Sequence, residues 1–562
     1  MRGKRILSVL IGLALTAGIS CAPPLSRTAA ALSVPTDNPI TAKYGTTYDW
    51  TSEIKWSNVK NILDYGGDPT GAKDNITAFN AARDAASNEG GGVVYFPTGS
   101  YKFNSDLYLK NGVVIRGETP DTGKDNAKSD NFTLKTKFQF PKYQPTFSGS
   151  GTSNSTAFKK IYTTTPATDS NIGLLYVDIN RAGIKLQSNA NIDNNKNILV
   201  YGVRSNNVAS ADSAVPQSYQ NAWQRWPNRF DANIAFQAYE NILVANCRVN
   251  DAVTDNFEQM GYILMKNTDG SLVTLNDPGQ AVFRYTDHYG IVVNNASNDW
   301  YATPATAPGL FRKGIAVRDN WIFKTMRNGI KASGDGVVVK GNSIYDQSDK
   351  VAWIYPTGYG KKPTGSVTYE NRGIHMAGYN CLLEDNYAEV YTHVIGWTPK
   401  YRSNDGEGFL MDNTGSMVDG WTVRNNILKG SNVYIGVYRT KDFRNVTIKG
   451  NTIQRTSPGK TGIWLWADTT SANYSMSNII VEDNTLNSGI TCTAKNGIKS
   501  LIINNNTVTG NIAVTGDSSG VNNSGNKVTN NTFVAGGSVT TGSITLTPAG
   551  CATVSGNVGF SN

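Results

Sequence analysis

The segment 446–453 reads VTIKGNTI, and the same phrase returns as IIVEDNTL at 479–486 and as LIINNNTV at 501–508. Each copy is a short β-branched or aliphatic run that ends in an Asn, followed by one residue and another aliphatic residue. Alternation with period 2 is typical of a β-strand, and Asn tolerates the left-handed backbone of a tight turn. The phrase therefore predicts a strand, a tight turn at the Asn and a second strand.

The turn Asn recurs along most of the chain. Other copies of the phrase place it at Asn206, Asn320, Asn342, Asn386, Asn426 and Asn531. Many of these asparagines are 22 to 26 residues apart, with longer gaps where a loop can be inserted. One strand-turn-strand unit cannot bury its apolar face alone, so such units must stack into a solenoid. We expect an all-β fold, a parallel β-helix with an interior of aligned Val, Ile and Leu, in which each Asn amide bonds to its stacked neighbours.

The region before the first copies has a different pattern. Residues 64–71 (DYGGDPTG) form turns, 74–86 read as an amphipathic helix, and 90–99 (GGGVVYFPTG) open the first strands. The open end of a stack exposes unpaired strand edges and apolar interior, which a helix can cover. We therefore expect an N-terminal capping helix.

This N-terminal segment resembles the opening module of the pectate-lyase-like superfamily. With the Asn-bearing repeats, the resemblance extends over about residues 60 to 560. It implies a right-handed parallel β-helix and a polysaccharide as ligand. The superfamily includes secreted polysaccharide lyases, polygalacturonase-like hydrolases, uronan epimerases and phage tailspikes, so the fold does not determine the reaction.

The N-terminus has the pattern of an export signal. Arg2, Lys4 and Arg5 precede an apolar run at 6–19, and small residues at 28–31 offer a cleavage site. We expect residues 1–31 to be a signal peptide and the mature protein to be secreted. Lipidation at Cys21 is the less favoured alternative.

The remaining chain divides into two parts by this interpretation. Residues 32–60 form an N-terminal arm, and 61–562 form a β-helix catalytic domain with inserted loops around 210–230, 265–310 and 346–370. We expect this mature protein to be a monomer.

Composition excludes several classes of protein. Charged residues make up 17% of the 562 residues, below the ~25% of an average soluble domain, and there is no Lys/Arg run that could track a nucleic acid. Beyond the signal, no apolar stretch approaches the ~20 residues of a membrane-spanning helix. Four cysteines remain, far apart and without a CxxC pair, so we expect buried free thiols: Cys247, Cys381, Cys492 and Cys551.

A second phrase, Gly-Ile-x or a variant of it, recurs ahead of the turn Asn. If the Ile or Phe of each copy points inward, alternation places the following residue on one outer face, in coils ~4.8 Å apart. The residues so placed are Lys331, His375, Leu410 and Trp464. Lys331 and His375 are the predicted catalytic residues on this wall, and Trp464 is a predicted sugar-binding residue.

Ionisable side chains are concentrated just before the third copy of this phrase. Tyr401, Arg402, Asp405 and Glu407 lie within seven positions, and Asp412 follows. Arg402, Asp405 and Glu407 join the predicted catalytic set, and Tyr401 the substrate-binding set. Three carboxylates can also hold a cation, and Ca²⁺ at Asp405, Glu407 and Asp412 is the candidate cofactor.

The interruption at 210–230 predicts a second substrate-binding region. It carries Trp223, Arg225, Trp226 and Arg229. Aromatic faces stack on the apolar faces of sugar rings, and Arg pairs bidentately with carboxylates. The segment 225–229 only approximates the Arg-x-Pro-x-x-Arg of pectate lyases, since it is one residue short.

Two reactions fit these residues. A lyase acting on an acidic polysaccharide such as alginate or pectate needs carboxylate neutralisation, a base and an acid, which Lys331, His375 and Arg402 can supply. A glycoside hydrolase needs two carboxyl groups, which Asp405, Glu407 and Asp412 can supply. The chain lacks the Asp-Asp, Gly-His-Gly and Arg-Ile-Lys of polygalacturonase-like hydrolases, so we favour the lyase; an epimerase and a non-catalytic binder stay open.

Overall fold

The structure is a computed structural model of the chain. It describes residues 34–141, 159–163, 169–187, 196–208, 231–237, 240–250, 288–294, 311–323, 328–345, 372–390, 407–412, 418–437, 443–455, 458–467 and 475–561. Within these ranges, parallel strands form three ladders that run the length of the stack, and we call them face A, face B and face C.

Face A consists of β1 (Val59–Asn61), β3 (Gly92–Phe96), β6 (Val113–Gly117), β9 (Ile172–Leu175), β12 (Lys196–Tyr201), β15 (Glu240–Ala245), β18 (Ile315–Arg318), β21 (Val338–Lys340), β24 (Leu382–Glu384), β27 (Val418–Arg424), β30 (Phe443–Lys449), β33 (Met476–Glu482), β36 (Ile498–Asn504), β39 (Lys527–Thr529) and β42 (Thr553–Ser555).

Face B consists of β2 (Thr70–Asp74), β4 (Gly99–Lys102), β7 (Thr136–Gln139), β10 (Val177–Asn180), β13 (Arg204–Asn206), β16 (Arg248–Asn250), β19 (Trp321–Phe323), β22 (Ser343–Tyr345), β25 (Tyr387–Glu389), β28 (Ile427–Lys429), β31 (Thr452–Gln454), β34 (Thr485–Leu486), β37 (Thr507–Val508) and β40 (Thr532–Phe533).

Face C consists of β5 (Leu107–Leu109), β8 (Lys159–Thr163), β11 (Ala182–Gln187), β14 (Asp231–Gln237), β17 (His288–Val293), β20 (Asn328–Asp335), β23 (Arg372–Tyr379), β26 (Glu407–Asp412), β29 (Val433–Val437), β32 (Thr461–Ala467), β35 (Gly489–Ala494), β38 (Ile512–Thr515), β41 (Gly542–Thr547) and β43 (Phe560–Ser561).

Each coil of the solenoid passes through the faces in the order C, A, B. Every strand pairs in parallel with the strand one coil further on, as β20 does with β23 and β23 with β26. The predicted fold class, a right-handed parallel β-helix, is confirmed.

The interior is built from columns of identical positions in successive coils. One column on face C holds an Ile or Val in almost every coil, fully buried in each case: Ile184, Ile234, Ile291, Ile330, Ile374, Val433, Ile463, Ile490 and Ile512. Burying one such side chain contributes about 1.5–3 kcal/mol relative to leaving it exposed. A single coil cannot bury these side chains by itself, so the fold depends on stacking.

The turn between faces A and B carries the predicted Asn ladder. In each step the side-chain Nδ2 donates to Oδ1 of the Asn one coil further on, at 2.9–3.0 Å, along the series Asn320, Asn342, Asn386, Asn426, Asn451, Asn484, Asn506, Asn531 and Asn557. The amides also donate to backbone carbonyls, as Asn342 does to Val317. The prediction that the turn asparagines bond to one another is confirmed.

The prediction that Asn206 belongs to this ladder is wrong. Asn206 lies in β13 on face B, and the turn of its coil is formed by the buried Val203, whose carbonyl accepts from Arg248 N–H. In the next coil the turn residue is Cys247, whose N–H donates to Asn320 Oδ1. The ladder therefore begins at Asn320, and apolar residues fill the turn before it.

Helix α2 (Ile76–Asn88) caps the start of the stack. It begins and ends two residues later than the predicted 74–86. Phe79 on its buried side contacts Phe96 and Phe103, with ring centroids 6.4 Å apart in both cases. The apolar end of the first coils is thus covered, as the sequence predicted.

The N-terminal arm packs against the outer surface of face A. It contains α1 (Pro39–Tyr44) and a 3₁₀ helix (Gly45–Glu53), and a second 3₁₀ helix (Ile62–Tyr65) follows. Its buried residues Ile40, Tyr48, Ile54 and Trp56 contact outward-facing apolar residues of face A, such as Leu175, Leu199 and Leu243. This contact explains why face A has apolar residues on both sides in its early coils.

A buried arginine fixes the beginning of the arm. Arg116 on β6 is inaccessible to solvent, and its guanidinium donates to Oδ1 of Asp37 at 2.8 Å and to the backbone carbonyl of Asp37 at 2.7 Å. Further along, the Tyr44 hydroxyl donates to Asp319 at 3.2 Å. Charge-assisted bonds therefore hold the arm on the solenoid at both places.

One predicted loop contains a strand. β17 (His288–Val293) lies inside the segment 265–310 and forms one of the coils of face C. Its sequence includes Gly290-Ile291-Val292, a further copy of the Gly-Ile-x phrase. The loops expected around 210–230 and 346–370, the signal at 1–31 and Cys21 lie outside the described residues.

Cys247, Cys381, Cys492 and Cys551 are buried and free, as predicted. Burial raises the pKa of the Cys247 and Cys492 thiols to about 12.

Candidate functional site

Lys331 and His375 are direct neighbours on face C. They are Cα partners in β20 and β23, next to the buried Ile330 and Ile374, so both lie on the outer side of the sheet. Side chains opposite one another in adjacent strands are within interaction range. The structure therefore brings these two predicted catalytic residues together.

The surroundings of the pair are partly closed. Lys331 is half-buried, and its Nζ lies 5.9 Å from the centroid of the Tyr289 ring one coil earlier. His375 is only 7% exposed. A cation over an aromatic face in a site with little water interacts more strongly with its neighbours than it would at an open surface.

Tyr434 and Trp464 continue the same outer column. The register runs from His375 to Leu410, then to Tyr434 and Trp464. The two ring centroids are 4.9 Å apart at an interplanar angle of 55°, and Trp464 is 40% exposed. An aromatic pair thus lies two coils beyond the Lys-His pair.

Tyr434 was missed in the sequence. Its coil reads Asn432-Val433-Tyr434, so the Gly of the recurring phrase is replaced by Asn and the Ile by Val. The position has a signal in the spacing, because Val433 lies 18 residues before Asn451, close to the 17 residues between Phe409 and Asn426.

The predicted acidic cluster is only partly described. Tyr401, Arg402 and Asp405 lie outside the described residues. Glu407 and Asp412 are in β26, where Glu407 is the Cα partner of Arg372 and Asp412 that of Gly436. The backbone at Glu407 is therefore one coil beyond β23, which carries His375; the side chains of Glu407 and Asp412 are outside the description.

The remaining predicted binding residues, Trp223, Arg225, Trp226 and Arg229, also lie outside the described residues. His288 is in β17 with Asp231 as its Cα partner.

Within the described ranges, no group of three or more His, Cys, Asp or Glu side chains is placed to hold a metal ion. The side chains of the candidate Ca²⁺ ligands lie outside the described part of the structure; these ligands are Asp405, Glu407 and Asp412. None of the helices in the described part of the chain is both long and apolar enough to cross a membrane.

The described part of face C can bind an anionic sugar and move a proton. The Lys331 ammonium group is a cation that can bind a carboxylate, and imidazole exchanges a proton near neutral pH. The exposed Trp464 ring offers an apolar face with a polar edge, which suits a sugar ring, and the buried Tyr434 supports it from below.

The fold defines the class of the protein, a right-handed parallel β-helix. Residues 59–256 match the family model described as "Rhamnogalacturonase A/epimerase, pectate lyase-like". This match confirms the resemblance to pectate-lyase-like proteins, and it covers less than half of the chain. No curated protein matches the chain.

Solved structures with the same kind of fold are distant in sequence. The A-module of mannuronan C-5 epimerase AlgE6 from Azotobacter vinelandii is 13% identical with a TM-score of 0.30, covering 89% of this chain and 98% of that chain. The surface adhesin PfbA of Streptococcus pneumoniae is 13% identical with a TM-score of 0.41, covering 89% and 90%. A double mutant of the tailspike protein of E. coli bacteriophage HK620 is 9% identical with a TM-score of 0.42, covering 89% and 80%.

Proposed function

We propose that the protein is a secreted lyase that cleaves an acidic polysaccharide such as alginate or pectate by β-elimination on face C. The observation that carries the proposal is the pairing of Lys331 with His375 across β20 and β23. The match of residues 59–256 to a pectate-lyase-like family model supports a polysaccharide substrate.

The reaction needs three groups at one sugar. A cation neutralises the uronate carboxylate, which acidifies the adjacent C–H bond. A base removes that proton, the electron pair of the C–H bond forms a C=C bond, and the bond to the leaving oxygen breaks. An acid then gives a proton to that oxygen, so no oxidant or reductant is consumed.

Lys331 and His375 fit two of these roles. The half-buried ammonium group of Lys331 binds the carboxylate, because a cation with little water around it pairs strongly with an anion. His375 transfers a proton, and Arg402 is the remaining predicted member of the catalytic set. The exposed Trp464 ring, packed on the buried Tyr434, stacks on a further sugar of the chain.

The test is incubation with a panel of acidic and neutral polysaccharides, following the ultraviolet absorbance of unsaturated uronates together with reducing ends. We expect absorbance to rise with at least one uronan. Lys331→Ala and His375→Ala should each lower that rate 100-fold or more, a size typical of lost acid-base or charge-stabilising groups. Lys499→Ala is the matched control, since Lys499 is exposed on face A.

Circular dichroism confirms that each variant is folded. Full activity in both face C variants would remove this site from consideration. Repeating the assay with a chelator shows whether the carboxylates at Asp405, Glu407 and Asp412 hold a cation, because a metal-dependent lyase would lose its activity.

Hydrolysis is the second candidate, favoured by the rhamnogalacturonase in the description of the matching family model. It would use two carboxyl groups across the scissile bond, with Asp405, Glu407 and Asp412 as candidates. Reducing ends that appear without ultraviolet absorbance would support this reaction and exclude elimination.

A further inference from the structure

The outer surface of face B carries aromatic and basic side chains in five consecutive coils. We call this set the face B strip; it consists of Arg248, Trp321, Phe323, Tyr345, Tyr387 and Lys429. All six are half-buried. The residues between them in the same strands point into the core and are fully buried, as Ile322 and Ile344 show.

The rings of the strip contact one another from coil to coil. Ring centroids are 5.3 Å apart for Trp321 and Phe323, 5.9 Å for Trp321 and Tyr345, and 5.2 Å for Tyr345 and Tyr387. With a coil spacing of ~4.8 Å, the strip extends about 19 Å from β16 to β28. It is therefore long enough to contact several sugar residues of one chain.

A cation lies at each end of the strip. The guanidinium carbon of Arg248 is 4.3 Å from the centroid of Trp321, and Nζ of Lys429 is 5.2 Å from that of Tyr387. Such cation-π contacts hold the two basic groups on the ring surfaces. Both charges are thereby positioned beside half-exposed aromatic rings.

The solenoid does not require aromatic residues on this surface. The column that holds Arg248, Trp321 and Tyr387 also contains Ser343 and Ile427, and further along it the positions are occupied by Thr452, Thr485, Thr507 and Thr532. Threonine leaves the outer surface of a strand polar, whereas half-exposed rings keep apolar area in water. Contiguous apolar patches edged by polar groups typically mark binding sites.

The guanidinium at the Arg248 end forms no ion pair with a described carboxylate. Its neighbour Arg204 pairs with Asp178 at 3.3 Å. Burial, first, and the nearby charge of Arg204 lower the pKa of Arg248, and the charge of Asp130 opposes them only in part. An anion bound here would relieve both effects, so this end of the strip is suited to a carboxylate.

The Lys429 end has different neighbours. Glu389 is the Cα partner of Lys429, and the Tyr387 hydroxyl donates to Glu389 at 2.6 Å. The strip is therefore asymmetric, with a carboxylate opposite Lys429 and a second arginine, Arg204, opposite Arg248.

We propose that the face B strip binds an acidic polysaccharide chain, at a site separate from face C. Sugar rings pack on Trp321, Tyr345 and Tyr387, and a uronate carboxylate pairs with Arg248. This site holds the polymer without cleaving it, so it does not depend on the reaction assigned to face C.

The test is retardation of the mature protein in native gels that contain alginate or polygalacturonate, with uncharged dextran as the comparison. Wild-type protein should be retarded by an acidic polymer and not by dextran. Trp321→Ala and Arg248→Gln should each weaken the apparent affinity five-fold or more. Thr485→Ala, in the same column of face B, should bind as wild type does.

Two further variants separate this site from face C and from stability. His375→Ala should keep its retardation even if it cleaves nothing. Trp321→Phe should restore most of the affinity lost in Trp321→Ala, and thermal unfolding should show both proteins to be folded. Unchanged retardation of Trp321→Ala and Arg248→Gln overturns the proposal, because the strip would then only stabilise the solenoid and bind no polymer. Absence of retardation in the wild type, or its complete loss in His375→Ala, overturns it as well.

Discussion

Asn386 donates two hydrogen bonds to the same oxygen of Asn426. Its Nδ2 lies 3.0 Å and its backbone nitrogen 2.9 Å from Oδ1 of Asn426, and both residues are buried. Asn426 in turn donates from Nδ2 to Asn451 and to the carbonyl of Leu383. Asn426 therefore connects the coil before it to the coil after it.

Replacing Asn426 should be costly. Asn426→Ala leaves two donors of Asn386 and the Leu383 carbonyl without their partners, and an unsatisfied buried polar group costs about 1–3 kcal/mol. We expect the free energy of unfolding, measured in urea, to fall by about 2–4 kcal/mol. The control is the exposed neighbour Asn425, which has a φ of +56°; Asn425→Gly should change stability by less than about 1 kcal/mol. Equal losses in both variants would contradict a special role for the ladder.

Two glycines of face C and its following turn should respond differently to alanine. A Cβ on Gly378, which has a φ of +127°, would overlap the backbone carbonyl of Gly334, whereas a Cβ on Gly336, with a φ of +75°, would contact nothing within 4 Å. Gly336→Ala should lower the free energy of unfolding only by the strain of an alanine in a left-handed backbone conformation, about 1–2 kcal/mol. Gly378→Ala should cost more than about 3 kcal/mol or prevent folding. Comparable unfolding midpoints for the two variants would show that the coils can separate locally.

Glu384 should make part of the stability depend on pH. The hydrogen bond from Lys340, with the charges of Lys340 and Arg424, holds the pKa of Glu384 below its ordinary value of 4.5. A depressed carboxyl pKa contributes stability that is present above pH 4.5 and is lost as the pH falls through the lower, folded-state pKa. We expect Glu384→Gln to be less stable than wild type at pH 7, with the difference shrinking as the pH falls below 4.5.

Urea midpoints measured across that pH range test the prediction. Lys340→Met removes the hydrogen-bond donor but keeps the carboxyl group. Its stability should therefore also fall less on acidification than that of the wild type. Parallel pH profiles for wild type and Glu384→Gln would assign the acid sensitivity to other groups.

The four cysteines should be unreactive in the folded protein. All are buried, and burial raises the pKa of Cys247 and Cys492 to about 12, so the thiolate is scarce at pH 8. A thiol reagent at pH 8 should label none of the four before unfolding and all four in urea. Fewer than four labelled thiols in urea without reductant would reveal a disulfide in solution.

Most of the fold could be predicted because its main signals are local. The Asn of each turn and the Ile of each face C strand are fixed by hydrogen bonds and burial within two or three neighbouring coils, so the chain repeats them. The prediction failed in the coils where an apolar residue fills the turn. Val203 and Cys247 are buried there, so Asn206 matches the sequence phrase without belonging to the ladder.

The candidate site was less predictable because its residues contact one another only across coils. The pairing of Lys331 with His375 followed from spacing, but the burial of His375 depends on long-range packing. The face B strip has a signal in the sequence, at the position after each turn residue. Arg248, Trp321 and Tyr387 each follow the turn residue directly, which places them on the outer surface of face B.

The connection from face A to face B keeps one length from β12 onward, whereas the connections into and out of face C both vary in length. Two residues separate face A from face B in successive coils, as between Arg318 and Trp321, whereas four residues lie between Phe323 and Asn328, and 37 between Asn250 and His288. Lengthening a connection adds little closure entropy, about 0.6 kcal/mol for each doubling. A reporter peptide grafted after Phe323 should therefore leave every strand pairing intact, whereas a single residue added after Arg318 should not. The molecule thus offers rows of insertion points along the edges of face C.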